Sequence, residues 1–183
     1  MRRSSIPEIN AGSTADIAFL LLIFFLVTTV FPNEKGIVRK LPERCQLPEC
    51  TVPLKERNTL KIYLNREGNV MVNEQITAKD QLVIAFKEFL DNNGDGSCDY
   101  CKGLGLETSS ENPQHAVLVL SMDRESEYGD YIAIQNALTS AFFELRAAFA
   151  KNQFKVEISQ LTEEQMKIAR DAYPLRVAEA ELR

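Results

Sequence analysis

Few residues in this chain have the types and spacing that do chemistry, and the most telling is an acid where acids are rare. Ile17 to Phe31 reads IAFLLLIFFLVTTVF, 15 residues without a charge, and extending back to Ala11 gives 21 residues with Asp16 inside them. That length makes a helix of about 30 Å, enough for one bilayer crossing. Its Ile, Leu, Phe and Val side chains contribute roughly −4 to −7 kcal/mol to insertion, against about +2.5 to +3.5 for one acid, so the helix inserts with Asp16 in it. At helical spacing Asp16 shares a face with Ser13, Phe19, Leu20, Ile23 and Val27, which offers almost no polar relief. An ionisable group at such depth reads as functional, and a carboxyl there can load and release protons as its surroundings alternate between wet and dry. Arg2 and Arg3 before an apolar stretch also imitate a signal peptide, but the run is long, carries an acid and ends in VTTVFPNEK without an A-x-A-like cleavage site.

Four cysteines form the second group: Cys45, Cys50, Cys98 and Cys101. They suffice for one disulfide set or one four-thiolate zinc site. Cys98-Asp-Tyr-Cys101-Lys-Gly-Leu-Gly resembles one copy of the chaperone zinc-ribbon motif C-x-x-C-x-G-x-G, and only Cys45 and Cys50 supply the remaining ligands. A redox site needs its C-x-x-C at a helix start after a strand, which this loop lacks. Just ahead, Asp91, Asn93, Asp95 and Gly96 imitate the opening of a calcium loop, yet Lys102 stands where the bidentate Glu belongs. His115, the one histidine, opens an apolar strand and reads as a surface hydrogen-bonding residue. No nucleophile is paired with a base, so the sequence does not read as an enzyme, and it calls for no cofactor.

The surrounding chain must position these groups. It has 183 residues, 45% hydrophobic and 26% charged, with a net charge of −5 and a mean hydropathy of −0.18. This fits one globular domain with attachments and argues against nucleic acid as a partner. Residues 1–10 precede the expected membrane helix at 11–31, and residues 32–57, with Pro32, Pro42, Pro48 and Pro53, read as an extended linker.

A domain over 58–160 follows. Leu60, Ile62 and Leu64 alternate with polar residues, NREG turns, and Val70 and Val72 alternate again, which predicts a hairpin. Residues 78–90 switch to helical spacing, residues 91–114 form a cysteine-containing insertion, and AVLVL at 116–120 predicts a buried central strand. Tyr131, Ile134, Leu138, Phe142, Leu145 and Phe149 predict a long helix, and Phe154, Val156 and Ile158 a last strand. The expected fold class is α/β: a two-layer domain in the order β β α β α β. The 161–183 tail is expected to be helical, with Thr162 and Gln165 as a capping box, Met166, Ala169 and Tyr173 on one face and Pro174 as its breaker. It either packs on its own domain or meets a partner.

The stretch PEINAGSTADIAFLLLIFFLVTT, Pro7 to Thr29, with Leu41-Pro42 after it, resembles the N-terminus of the ExbD/TolR family of biopolymer transport proteins. Glu8, Ile9 and Asn10 match that family's lead-in, Asp16 its proton-carrying aspartate and Leu41-Pro42 its exit pair, while Gly12-Ser13 replace the usual T-P dipeptide. SMDRESEYGDY, Ser121 to Tyr131, resembles the family's strand-end acid and the tyrosine opening the next helix. The resemblance implies a single-pass inner-membrane protein, N-terminus cytoplasmic and C-terminal domain periplasmic. It would be one subunit of a homodimer within a pentameric ExbB/TolQ-like multi-helix partner. Its role would be to couple the proton motive force to a TonB- or TolA-like transducer serving outer-membrane transport or envelope maintenance. An oxidising periplasm favours disulfides over zinc for the four cysteines. The alternative is a membrane-anchored periplasmic binding module whose helix is only a tether.

Overall fold

The computed structural model of the chain describes residues 11–29 and 54–181. The 32–53 stretch of the expected linker, with Cys45 and Cys50, lies outside the described residues, as do Glu8, Ile9, Asn10 and Leu41-Pro42. Two units are recognised, residues 1–50 and residues 51–183.

In the first unit, α1 (Ala11–Thr28) is an 18-residue helix with every side chain exposed. It is long and apolar enough to cross a membrane. At its end Thr28 Oγ1 donates to Phe24 O at 2.7 Å, and Thr29 Oγ1 to Leu26 O at 3.3 Å. The two hydroxyls are thereby satisfied by backbone carbonyls of the helix's last turns.

The second unit is a small α/β domain. Its five strands are β1 (Thr59–Leu64), β2 (Val70–Val72), β3 (Gln75–Thr77), β4 (Val117–Met122) and β5 (Val177–Glu181), in the sheet order β3-β2-β1-β4-β5. β1 pairs antiparallel with β2 and parallel with β4, and β4 pairs parallel with β5. The predicted hairpin is present. Asn65 organises its turn, with Asn69 N donating to Asn65 Oδ1 at 2.8 Å and Gly68 N to Asn65 O at 3.2 Å. Gly68 sits at φ +79°, a conformation that favours glycine, and a β-carbon there would push aside the Asp130 carboxylate, whose Oδ2 would lie 2.3 Å away.

Three helices complete the unit: α2 (Leu82–Leu90), α3 (Tyr128–Gln153) and α4 (Glu163–Ala172). Leu60, Ile62, Leu64, Val70, Val72, Leu118 and Leu120 give the sheet one apolar face. Phe86 and Leu90 of α2 and Ile134, Leu138 and Phe142 of α3 belong to the same core. β4 is an interior strand between β1 and β5, the central place being taken by β1, and its burial alternates: Leu118 and Leu120 enter the core while Val117 and Val119 are half-buried. The all-apolar run AVLVL therefore marks a strand with one covered face rather than two.

Three expectations need correction. Phe154, Val156 and Ile158 do not form the last strand. α3 continues to Gln153, Phe154 caps it, Lys155 takes φ +59° and Ile158–Gln160 is a single 3-10 turn. A left-handed residue just past the cap is a common helix stop, and it removes the extended geometry that alternation implied. The last strand is β5, inside what read as a helical tail, and its pairing with β4 runs from Leu118↔Val177 to Met122↔Glu181. β3 was not expected at all. It pairs with β2 through a two-residue turn, Asn73-Glu74, with both residues at positive φ. The observed order is β β β α β α α β.

The α4 expectations hold. Gln165 N donates to Thr162 Oγ1 at 3.3 Å and Thr162 N to Gln165 Oε1 at 3.0 Å, a reciprocal cap. Ala169, Ala172 and Tyr173 are buried within the domain's own core.

Candidate functional site

Asp16 is the sixth residue of α1, about 8 Å along the axis from Ala11. Glycine, serine and threonine cluster in the first turn before it, and from Ile17 the helix is apolar to Val27. Helical periodicity carries Asp16 on one stripe with Ser13, Leu20, Ile23 and Val27. Among the described residues, α1 has no buried side chain. A carboxyl on such a helix needs water, headgroups or another polypeptide to satisfy it.

In the folded unit, the strand-end motif builds a turn. Asp123 N donates to Leu64 O at 2.9 Å, Asp123 Oδ1 accepts from Glu125 N at 2.9 Å, and Ser126 Oγ donates to Asp123 O at 2.6 Å. Tyr128 opens α3 and stacks on Tyr131, ring centroids 5.9 Å apart. Tyr131 Oη and Gln135 Nε2 both donate to Glu179 Oε1, at 2.8 and 3.2 Å, tying α3 to β5. Asp130 pairs with Lys79, which precedes α2.

The cysteine insertion is organised from its first three residues. Asn92, 1% exposed, donates from Nδ2 to Leu106 O and Ser110 O, each at 2.8 Å, and accepts from Leu106 N at 2.9 Å. Asp91 Oδ1 accepts from Tyr173 Oη and Oδ2 from Lys102 N, while Asn93 exchanges hydrogen bonds with the backbone of Cys98. Asp95 Oδ1 accepts from Ser97 N. The oxygens that a calcium loop would aim at one ion are thus directed to separate backbone and side-chain donors of the fold.

Cys98 and Cys101 are joined as a disulfide, Cα atoms 5.5 Å apart. The two glycines of the zinc-ribbon-like motif serve loop packing. Gly103 N donates to Asp91 O, and a β-carbon on Gly103 would fall 2.3 Å from that oxygen. Gly105, at φ +66°, donates to Asn92 O.

One cluster was not legible from spacing. Asp95, Glu111 and His115 bring ligand-type atoms within 4.8 Å of one another. Cations already face Glu111: Lys55 Nζ lies 2.8 Å from Oε1 and Arg57 Nη1 3.9 Å, while Asn58 Nδ2 donates to Oε2 at 2.9 Å. Hydrogen bonds from Lys55 and Asn58 hold the Glu111 carboxyl below the usual carboxylate range. The cluster is an ion-paired clamp that fastens the end of the insertion to the start of β1. No local signal announces it, because Asn58 and Glu111 are 53 residues apart. His115 lies at its edge, Nδ1 3.6 Å from Glu111 Oε2.

Residues 2–150 match the family described as biopolymer transport protein ExbD/TolR, a span that takes in α1, the hairpin, the insertion and most of α3. No curated protein matches the chain. An N-terminal helix of membrane-spanning length before a small mixed-sheet α/β domain agrees with that match, and the chain belongs to the ExbD/TolR family of biopolymer transport proteins.

Proposed function

We propose that this chain is the single-helix subunit of a proton-driven inner-membrane motor, with Asp16 as the group that carries the proton. The observation that supports it most is the position of one carboxyl in the second turn of an 18-residue helix that is apolar beyond it. A single helix cannot line a path, so the reading requires a multi-helix partner of the ExbB/TolQ kind around two copies of α1. The N-terminus would be cytoplasmic and the α/β domain periplasmic, passing motion to a TonB- or TolA-like transducer. Residues 32–53 would give that domain its reach, because a proline-rich connector is an extended, semi-rigid spacer.

Asp16→Asn keeps side-chain size and removes titration. Cells carrying it should make normal amounts of the protein and lose proton-dependent uptake or envelope integrity. Full function at normal protein level would remove Asp16 from the mechanism. Replacing residues 11–31 with an unrelated apolar helix tests the tether reading, since a tether survives that exchange and a proton carrier does not.

A further inference from the structure

α3 and α4 enclose a groove of about 400 Å³ that the proton-carrier reading does not use. Phe142 and Phe143 of α3, Ile158 of the 3-10 turn, Met166 of α4 and Leu175 make its wall predominantly apolar. Two of these are well exposed for large apolar side chains, Phe143 at 55% and Leu175 at 46%. Ile158, Ser159, Met166, Arg170 and Leu175 lie beyond the family-matched span 2–150, so the family match covers only the α3 side of the groove.

Its charge is one-sided. Arg146 and Arg170 both line it and none of its lining residues is acidic. Arg146 is fixed in place: Nε and Nη2 donate to Tyr173 O at 3.0 and 2.7 Å, and the guanidinium lies over the Phe142 ring, 5.6 Å from its centroid. Two of its five donors are so engaged, leaving hydrogen-bonding capacity toward the groove. Burial first, and after it the charge of Arg170, lowers the Arg146 pKa, and an anion placed near both guanidinium groups would offset these effects. Arg170 itself is exposed.

We propose that this groove docks a polypeptide segment of a partner protein, one that presents a large apolar side chain next to carboxylates. The apolar residue would fill the space over Phe143, Met166 and Leu175, and the carboxylates would pair with Arg146 and Arg170, where a guanidinium's planar fork suits bidentate pairing. The groove is open to solvent, a form that suits one anchoring side chain of a longer segment better than an enclosed small molecule. This inference does not rest on the role of Asp16.

The test is selection of displayed random 12-residue peptides on the full chain in nanodiscs, followed by titration of the enriched peptides. The expected result is enrichment of sequences with Phe, Leu or Met within two positions of Asp or Glu. Their affinity should fall at least tenfold with Arg170→Glu or Phe143→Ser, both exposed sites, and similarly when the peptide's acids become amides. No enrichment, or binding indifferent to these changes, overturns the proposal. Binding of dioctanoyl phosphatidylglycerol that Arg170→Glu abolishes, without any peptide binding, would assign the groove to lipid instead. A shift of the full chain to a lower oligomer with either variant would assign it to a second copy and likewise overturn the proposal.

Discussion

The Tyr173 hydroxyl donates a 2.6 Å hydrogen bond to Asp91 Oδ1 across 82 residues of chain, joining the end of α4 to the start of the cysteine insertion. Tyr173 is 3% exposed, and its ring meets Tyr100 and Phe149 edge-on at centroid distances of 5.5 and 6.4 Å. The bond thus sits within an aromatic cluster rather than in solvent. Hydrogen bonds to a charged acceptor contribute about 1.5–3 kcal/mol, so Tyr173→Phe should lower unfolding stability by roughly that amount in urea denaturation. A loss under about 0.5 kcal/mol would show that the bond adds nothing net. Burial pushes the Tyr173 hydroxyl pKa far up, and the neighbouring Asp91 adds to this. A raised pKa stabilises the fold below the ordinary tyrosine value of 10.0, so wild-type stability should fall as pH climbs past it. Tyr173→Phe should lose less over that range.

The Cys98–Cys101 bridge closes a four-residue ring in which Cys98 is buried and Tyr100 half-buried. Inside the ring, Tyr100 donates to Ala172 O at 2.8 Å and meets Phe149 at a centroid distance of 5.1 Å. The bridge therefore presents Tyr100 to the end of α4. Loop-closure entropy for so short a ring is worth about 2 kcal/mol, the loss expected for the double Cys98→Ser, Cys101→Ser variant in urea denaturation. Cys45 and Cys50 are proposed as a second pair within the connector. Thiol labelling of the exported protein should find both blocked until reductant is added. Free labelling of both, or stoichiometric zinc whose chelation exposes all four thiols, would refute it.

How much was legible follows from how local each signal is. Asp16 stands out because its neighbours in sequence are also its environment. The Thr162–Gln165 cap and the Asn65–Gly68 turn are each complete within about one turn of chain, the apolar stripe of α3 repeats every three or four residues, and all are present. β5 was hidden because Val-Ala-Glu-Ala-Glu is, after its valine, composed of good helix formers, and only pairing with β4 makes it a strand. β3 was hidden because Asn73-Glu74 lacks the glycine that usually marks so tight a hairpin, and because Ile76 is 77% exposed rather than on a covered face. In the insertion, cysteine, glycine and acid spacing suggested ions. Asn92, which forms its three hydrogen bonds there from a buried position, carries no mark in that spacing.

Asn92→Ala measures that last point. It would leave Leu106 N without its side-chain acceptor and the carbonyls of Leu106 and Ser110 without their side-chain donors. Unmade buried hydrogen bonds cost about 1–3 kcal/mol each, partly recovered as water enters. The variant should lose about 2–4 kcal/mol of stability, with amide exchange accelerating across residues 92–110 before it does in β1 and β4. Equal acceleration throughout would mean that the insertion unfolds only with the whole domain.

Glu111 gives the domain an acid-sensitive fastening. Its carboxyl pKa is lowered first by the hydrogen bond from Lys55, then by that from Asn58, with further contributions from the Lys55 and Arg57 charges. A lowered carboxyl pKa stabilises the folded state above the unfolded value, near 4.5, and that contribution disappears as pH falls through the lower folded value. Stability should therefore drop on acidification below about pH 4.5, steeply in the wild type and less so in Glu111→Gln, whose amide keeps a hydrogen-bonding shape without titrating. At neutral pH the variant should be the less stable of the two, and the difference should narrow as both are acidified. High salt should weaken the neutral-pH advantage only in part, because Glu111 is largely covered while Lys55 is exposed. Parallel stability profiles for the two proteins from pH 7 to pH 3 would show that the clamp carries no linked proton.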